Sequence, residues 1–249
     1  MLKAERHNFI LSKLADELRV NTIHLAIDLK VSEDSIRRDL NELHQKGRLE
    51  KVYGGAVPVI NKQNSVFDLI ITNEDKKNEV GLKALSLLHD GQVLIMSGGT
   101  TNSVFCKLIP ADLKATVYTY SLPIAMQLSQ HPNIDLIFIG GKMQKNAMVT
   151  IGIDVLQVLS KIKADICFMG VSSIDTNQGL TEMGYEVSIV KKAMIESSEK
   201  VICLFTAEKL NTRKPHVVCG LNKIDTIVTD LDPNDERLTD FKKAGVQLL

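Results

Sequence analysis

Apolar positions in the first 57 residues recur at helical spacing, while from about residue 78 they gather into short runs alternating with amphipathic stretches. Ile10, Leu11, Leu14 and Leu18 line one face of a first helix, with Lys3, Glu5, Arg6, Lys13 and Asp16 between them. A break at Arg19-Val20-Asn21 leads into a second short segment, Thr22 to Leu29, whose apolar residues are Ile23, Ala26, Ile27 and Leu29. Lys30-Val31 makes the turn, and Ser32 has the side chain of an N-cap. Glu33 and Asp34 follow in a first turn, where the helix dipole favours acids. At about 100° per residue, Ile36, Leu40 and Leu43 of this third helix fall on one narrow stripe. Asp34, Arg38, Asn41 and Gln45 then face the other way, with Arg37 on the flank.

Arg, Asn and Gln are the side chains that hydrogen-bond base edges in the major groove. A solvated surface helix can show the same face, so the context decides. Two short helices joined by a tight turn precede it, and Gly47 stops it. Arg48–Val57 then alternates apolar and polar residues as a hairpin would. The segment 1–57 therefore predicts a winged helix-turn-helix. Ser32, Ser35, Arg37, Arg38 and Asn41 approach DNA in this reading, and Arg48, Lys51 and Tyr53 lie along phosphates. Charge sets a limit on the idea. The whole chain of 249 residues is neutral, and residues 1–57 carry 10 Lys/Arg against 9 Asp/Glu. Contact must come from a local face, not from a basic domain.

The run Glu5-Arg6-His7, Ile10, then Val31-Ser32, Ile36-Arg37-Arg38-Asp39-Leu40, Leu43, Gly47 and Gly54-Gly55-Ala56 resembles the DeoR family of bacterial transcriptional regulators. The resemblance implies that Ser32 to Arg38 approach DNA and that Arg37 and Arg38 contact it. It also implies a C-terminal domain similar in fold to ribose-5-phosphate isomerase, which in this family senses phosphorylated sugars.

The rest of the chain fits an α/β domain. Pro58 to Lys77 is polar and reads as a linker and lead-in, leaving 78–249 for the larger domain. Strand-like runs lie at Val93–Met96, Ala115–Thr119, Ile134–Ile139, Asp165–Met169, Val201–Phe205 and Thr226–Val228. Helical stretches at Ser121–Gln130, Ile153–Ile162 and Tyr185–Ser198 fall between them, predicting a parallel sheet flanked by helices. Ligands of such sheets bind beyond the carboxyl ends of the strands. The first such loop is Ser97-Gly98-Gly99-Thr100-Thr101, where glycines let backbone approach an anion and a helix start offers free N–H groups. Gly140-Gly141-Lys142, Gly179-Leu180-Thr181 ahead of Glu186, and Lys209 add one polar cluster per later loop. By the resemblance, Gly99, Thr100 and Thr101 hold phosphate, and Glu186 and Lys209 fall where the isomerases keep a catalytic Glu and Lys. The chain departs from the family's pattern at Ser97 (usually Asp), at Tyr120 in Thr119-Tyr120-Ser121 (usually Asn) and at Thr206 (usually Asp). The usual Arg just after Phe67 is also missing.

Two other classes are weaker. An isomerase needs an Asp-Gly-x-Asp segment for acid/base work, and the corresponding Met169-Gly170-Val171-Ser172 has neither carboxylate. A metal sensor needs clustered ligands, but His7, His24, His44, His89, His131 and His216 form no close-spaced pair. Cys106, Cys167, Cys203 and Cys219 have no Cys-x-x-Cys spacing and read as core residues of a reducing compartment. With no membrane-length apolar run and no signal-peptide pattern, the expectation is a cytoplasmic protein. Together with what the resemblance implies, a homodimer or homotetramer answering to a phosphorylated sugar, the expectation is a regulator of operator DNA without cofactor or metal. A dimeric scaffold that senses no small molecule is the alternative.

Overall fold

The computed structural model describes residues 3–17, 19–57 and 71–249, with the side chains at 15–17 outside the description. Leu18 and the expected linker at 58–66 therefore lie outside the described residues. The chain divides into two units, Met1–Asn73 and Glu74–Leu249.

In the first unit α1 (Lys3–Glu17), β1 (Val20–Asn21), α2 (Thr22–Leu29), α3 (Glu33–Gln45), β2 (Glu50–Val52) and β3 (Gly55–Val57) follow in order. The stripes expected from spacing make the core: Ile10, Leu11 and Leu14 pack with Ile36, Leu40 and Leu43. Leu25 and Leu29 of α2 join them, whereas Ile23 and Ile27 stay 52% and 68% exposed. Caps set the helix starts. Asn21 accepts from the Ile23 N–H at 2.8 Å, and Ser32 accepts from that of Ser35 at 3.3 Å. Lys30 closes α2 in the left-handed conformation. The wing is a three-stranded antiparallel sheet in the order β1-β3-β2. Val20-Asn21, expected only as a break, is its third strand, because the Val20 carbonyl crosses Gly55 so closely that a Cβ there would sit 1.8 Å away.

A buried ion pair ties α1 to α3. Asp39 accepts from Arg6 Nε at 2.7 Å and Nη2 at 3.1 Å, and lies 3.1 Å from His7 Nε2. Burial would raise the Asp39 carboxyl, but the hydrogen bonds from Arg6 and His7 outweigh it and hold it below the ordinary aspartate range.

The second unit runs α4 (Glu74–Leu85), β4 (Val93–Met96), α5 (Thr100–Leu108), β5 (Ala115–Thr119), α6 (Leu122–Leu128), β6 (Ile134–Phe138), β7 (Lys142–Gln144), β8 (Val149–Ile151) and α7 (Ile153–Leu159). It continues β9 (Ala164–Gly170), β10 (Ser173–Asp175), β11 (Gly179–Glu182), α8 (Tyr185–Glu196), β12 (Ser198–Leu204), β13 (His216–Cys219), β14 (Thr226–Val228), α9 (Thr239–Lys243) and β15 (Gln247–Leu248). Glu74–Lys77, expected in the lead-in, are instead the first turn of α4. Gly179-Leu180-Thr181, expected as a loop before the helix, belongs to strand β11. The six expected strands form one parallel sheet with β15 added, in the order β15-β14-β12-β9-β4-β5-β6. The inner strands β4, β9 and β12 are buried along most or all of their apolar runs, which makes those runs readable, although β12 starts at Ser198, three residues before the expected Val201. One face packs against α4, α5 and α6, with Phe105 against Phe168 at 4.8 Å. The other packs against α7, α8 and α9. A hairpin (β7-β8) and a small antiparallel sheet (β10-β11-β13) complete the unit. Their strands are three or four residues long, too short to show a period. The four thiols are free, and burial pushes Cys167 to about 12 and Cys219 to about 11, so they act as neutral packing groups.

Asp39→Asn should destabilise the first unit by about 3 kcal/mol at neutral pH, the cost of breaking a buried pair. Because the folded-state pKa is depressed, the wild-type contribution is complete above the ordinary aspartate range and is lost as pH falls through the folded value. Amide exchange of residues 3–57 should show protection falling with acid in wild type and a flatter profile in the variant. Equal profiles would reject the role given to Asp39.

Candidate DNA face and effector site

On α3, the residues at 34, 37, 38, 41 and 45 are all exposed, as the helical angles require. Arg38 Nε donates to its own helix at the Asp34 carbonyl, 3.3 Å away, which leaves the far end of its guanidinium outward. Arg37 is held along the flank by Glu33 at 3.2 Å and Asp34 at 3.3 Å. Ser35 shares a 3.0 Å hydroxyl contact with Ser32. In the wing, Arg48 and Lys51 are exposed, and Tyr53 is fully exposed beside the turn glycine Gly54. Lys51 does not project freely, however: its ammonium donates to Asn41 Oδ1 at 2.5 Å. The structure thus brings one wing cation onto the recognition helix.

In the second unit the sheet order reverses between β4 and β9. In open α/β sheets ligands bind in the crevice beyond the strand ends at such a point. The Ser97-Gly98-Gly99 turn lies there. The buried Ser97 takes the Phe168 carbonyl through its N–H at 3.0 Å. Asn102 Nδ2 clamps the Ser97 and Phe168 carbonyls at 2.7 and 3.0 Å. The Gly98 carbonyl fills the space where a Cβ on Gly170 would stand, at 2.2 Å. Gly99 adopts φ +123° and caps α5 without a side-chain hydrogen bond, so the first-turn N–H groups have no side-chain cap. Thr100 is half-buried and Thr101 buried, so Thr101 can offer its backbone more readily than its hydroxyl.

The other expected residues divide. Lys142 Nζ and Glu186 Oε1 meet at 3.5 Å, but as a surface pair, 73% and 51% exposed. Gly141, at φ +156°, lies so close to Ile151 O that a Cβ would be 3.0 Å away. Lys209 ends a 3-10 turn after β12 and lies 3.8 Å from Glu208. A second carboxylate, Glu182, reaches the switch point through Lys191. It pairs with the buried Lys191 at 2.5 Å, accepts from Ser172 Oγ at 2.8 Å, and takes the Met183 N–H at 2.8 Å. Lys191 also donates to the Gly170 carbonyl at 2.9 Å. Burial works against both charges, but their mutual attraction prevails, lowering Glu182 and raising Lys191. Tyr120 is buried, and burial raises its hydroxyl pKa. Sequence reasoning missed Glu182 and Lys191. The signal was present: Lys191 falls among Val187, Val190 and Met194 on the buried stripe of α8, where a lysine demands a partner. Two concavities, of about 550 and 410 Å³, lie elsewhere; one is flanked by Lys192 and Cys219, the other by Tyr118 and Gln157.

Comparison with known proteins bears on both units. Residues 6–63 match the DeoR-like helix-turn-helix domain, and residues 72–231 match the DeoR C terminal sensor domain. The chain belongs to the DeoR family. Among relatives of this family, the HTH-type transcriptional repressor GlcR of Bacillus subtilis is 32% identical over all of this chain and 96% of its own length. The glycerol-3-phosphate regulon repressor of Escherichia coli is 26% identical, over 94% of this chain and 93% of its own. Ribose 5-phosphate isomerase A from Methanocaldococcus jannaschii overlays with a TM-score of 0.42 at 20% identity, over 56% of this chain and 55% of that one. As a DeoR-family member the chain is a DNA-binding transcriptional regulator with a sensor domain. Among the described residues, no cluster could hold a metal ion and no helix is long and apolar enough to cross a membrane.

Lys191→Met alone should destabilise the second unit by about 3 kcal/mol, because Glu182 is left buried and unpaired. Glu182→Leu combined with Lys191→Met should recover most of that loss in urea titrations. A double variant as unstable as the sum of the singles would show that the pair is not the unit.

Proposed function

We propose that this regulator represses a carbohydrate-use operon and is released by a phosphorylated sugar. The observation that carries the effector half is the Gly98-Gly99 turn at the sheet's switch point, with the first turn of α5 uncapped by any side chain. Gly98, Gly99, Thr100 and Thr101 would receive phosphate through backbone N–H groups, with Ser97 beneath them. Gly141, Lys142, Glu186 and Lys209 would line the sugar side. The printed name of the relative that governs a glycerol-3-phosphate regulon supports a phosphorylated effector.

On the DNA side, Arg38 and Asn41 would read bases. Ser32, Ser35 and Arg37 would set the approach, and Arg48, Lys51 and Tyr53 would follow the backbone. Two copies would bind two half-sites, as a homodimer or within a homotetramer. Effector binding would change how the two winged helices are presented, and a hundredfold loss of operator affinity needs a coupling of only about 3 kcal/mol. Catalysis is not part of the proposal. Met169 and Ser172 stand where acid/base carboxylates would be needed, and Glu182 is committed to Lys191.

The scaffold reading also draws on an observation. Val149 stands 3.1 Å from where a Gly98 Cβ would be, and the two concavities lie away from the turn.

Arg38→Ala should weaken operator binding about tenfold or more, within the roughly 1–3 kcal/mol of a base-edge contact, at unchanged melting temperature. Unchanged affinity in a gel-shift titration at fixed salt removes Arg38 from the reading set. In a thermal panel, at least one sugar phosphate should stabilise the protein, by about 2.7 kcal/mol at a hundredfold excess over its Kd. If none does, the scaffold reading stands in place of the sensor.

A further inference from the structure

The contact between the wing and the recognition helix carries a statement about base choice. Asn41 lies on the outward face of α3 and Lys51 on β2, both exposed, with Lys51 Nζ 2.5 Å from Asn41 Oδ1. An ammonium only donates, so the atom of Asn41 that faces it is the carbonyl oxygen, and the Nδ2 amide is turned away. This settles by chemistry an orientation that electron counts alone rarely distinguish.

An unencumbered asparagine reads adenine, accepting from N6 and donating to N7. With Lys51 against Oδ1, one of that oxygen's two lone pairs is engaged, and positive charge stands where the adenine amino hydrogens would come. What the face offers is donors: Nδ2 from Asn41 and the remaining N–H groups of Lys51. Guanine presents two acceptors, N7 and O6, along the same edge. The geometry points to Lys51 and Asn41 acting as one positively charged, donor-rich unit that selects guanine over adenine. Lys51 is then a specificity residue in its own right, not only a phosphate contact. This inference rests on the proposal that α3 reads the major groove, and the test separates the two.

The full-length protein, Asn41→Ala and Lys51→Met are each used to select sites from a randomised duplex library, with melting temperatures as a folding control. Wild type should select guanine at one position, and Asn41→Ala should lose preference there. Lys51→Met should move that position toward adenine, changing the guanine-to-adenine ratio roughly tenfold or more. If wild type selects adenine at the Asn41-dependent position, the inference is overturned. It is also overturned if Lys51→Met weakens all sequences alike and lowers the salt slope by about one, the mark of a phosphate contact. If Asn41→Ala alters no position, the reading role of Asn41 fails, whatever Lys51 does.

Discussion

At the switch point of the large sheet two backbones touch with nothing between them. The Gly98 carbonyl occupies the place of a side chain on Gly170, so any residue but glycine at 170 would drive β9 away from the turn after β4. Much of the second unit depends on this contact. Asn102 holds it from the α5 side, through the Ser97 and Phe168 carbonyls. Lys191 holds it from the α8 side, through the Gly170 carbonyl, with its charge balanced by Glu182. Helices from both faces of the sheet therefore meet at one backbone junction. A ligand that altered the turn would act on both faces through hydrogen bonds already made.

The first unit uses the same device at smaller scale. Asp39 sits in the middle of the recognition helix but points inward, where Arg6 and His7 of α1 neutralise it. The neighbouring Arg38 and Asn41 face outward. A buried acid beside exposed polar residues lets a nearly neutral domain hold a polar helix firmly without a basic surface. The wing is drawn in by Gly55 against Val20, and Lys51 of the wing reaches Asn41.

Much of this was legible in the chain. The stripe Ile36, Leu40, Leu43, the caps at Ser32 and Gly47, and the strands Val93–Met96, Ala115–Thr119 and Thr226–Val228 stand as periodicity placed them. Long or doubly buried elements repeat a pattern often enough to be read. β1, β7, β8 and β15 do not, being two or three residues each and made by pairing with distant segments. The DeoR resemblance carried the domain plan, and the glycine-rich turn could be recognised from composition and position together.

Side-chain partnership was beyond reach of the sequence. Glu182 had no motif position to single it out, yet strand β11 and helix α8 bring it together with Lys191, nine residues on, beside the switch point. Lys51 reads from the sequence as a phosphate contact, and its further contact with Asn41 depends on the wing packing back on α3. By itself the sequence determined the apolar stripes of the longer elements and the order of those elements, since both follow from local periodicity and caps. Only the tertiary structure decided which charges neutralise one another and which remain to meet a ligand. Those choices depend on distances of a few ångströms between segments that no local pattern relates.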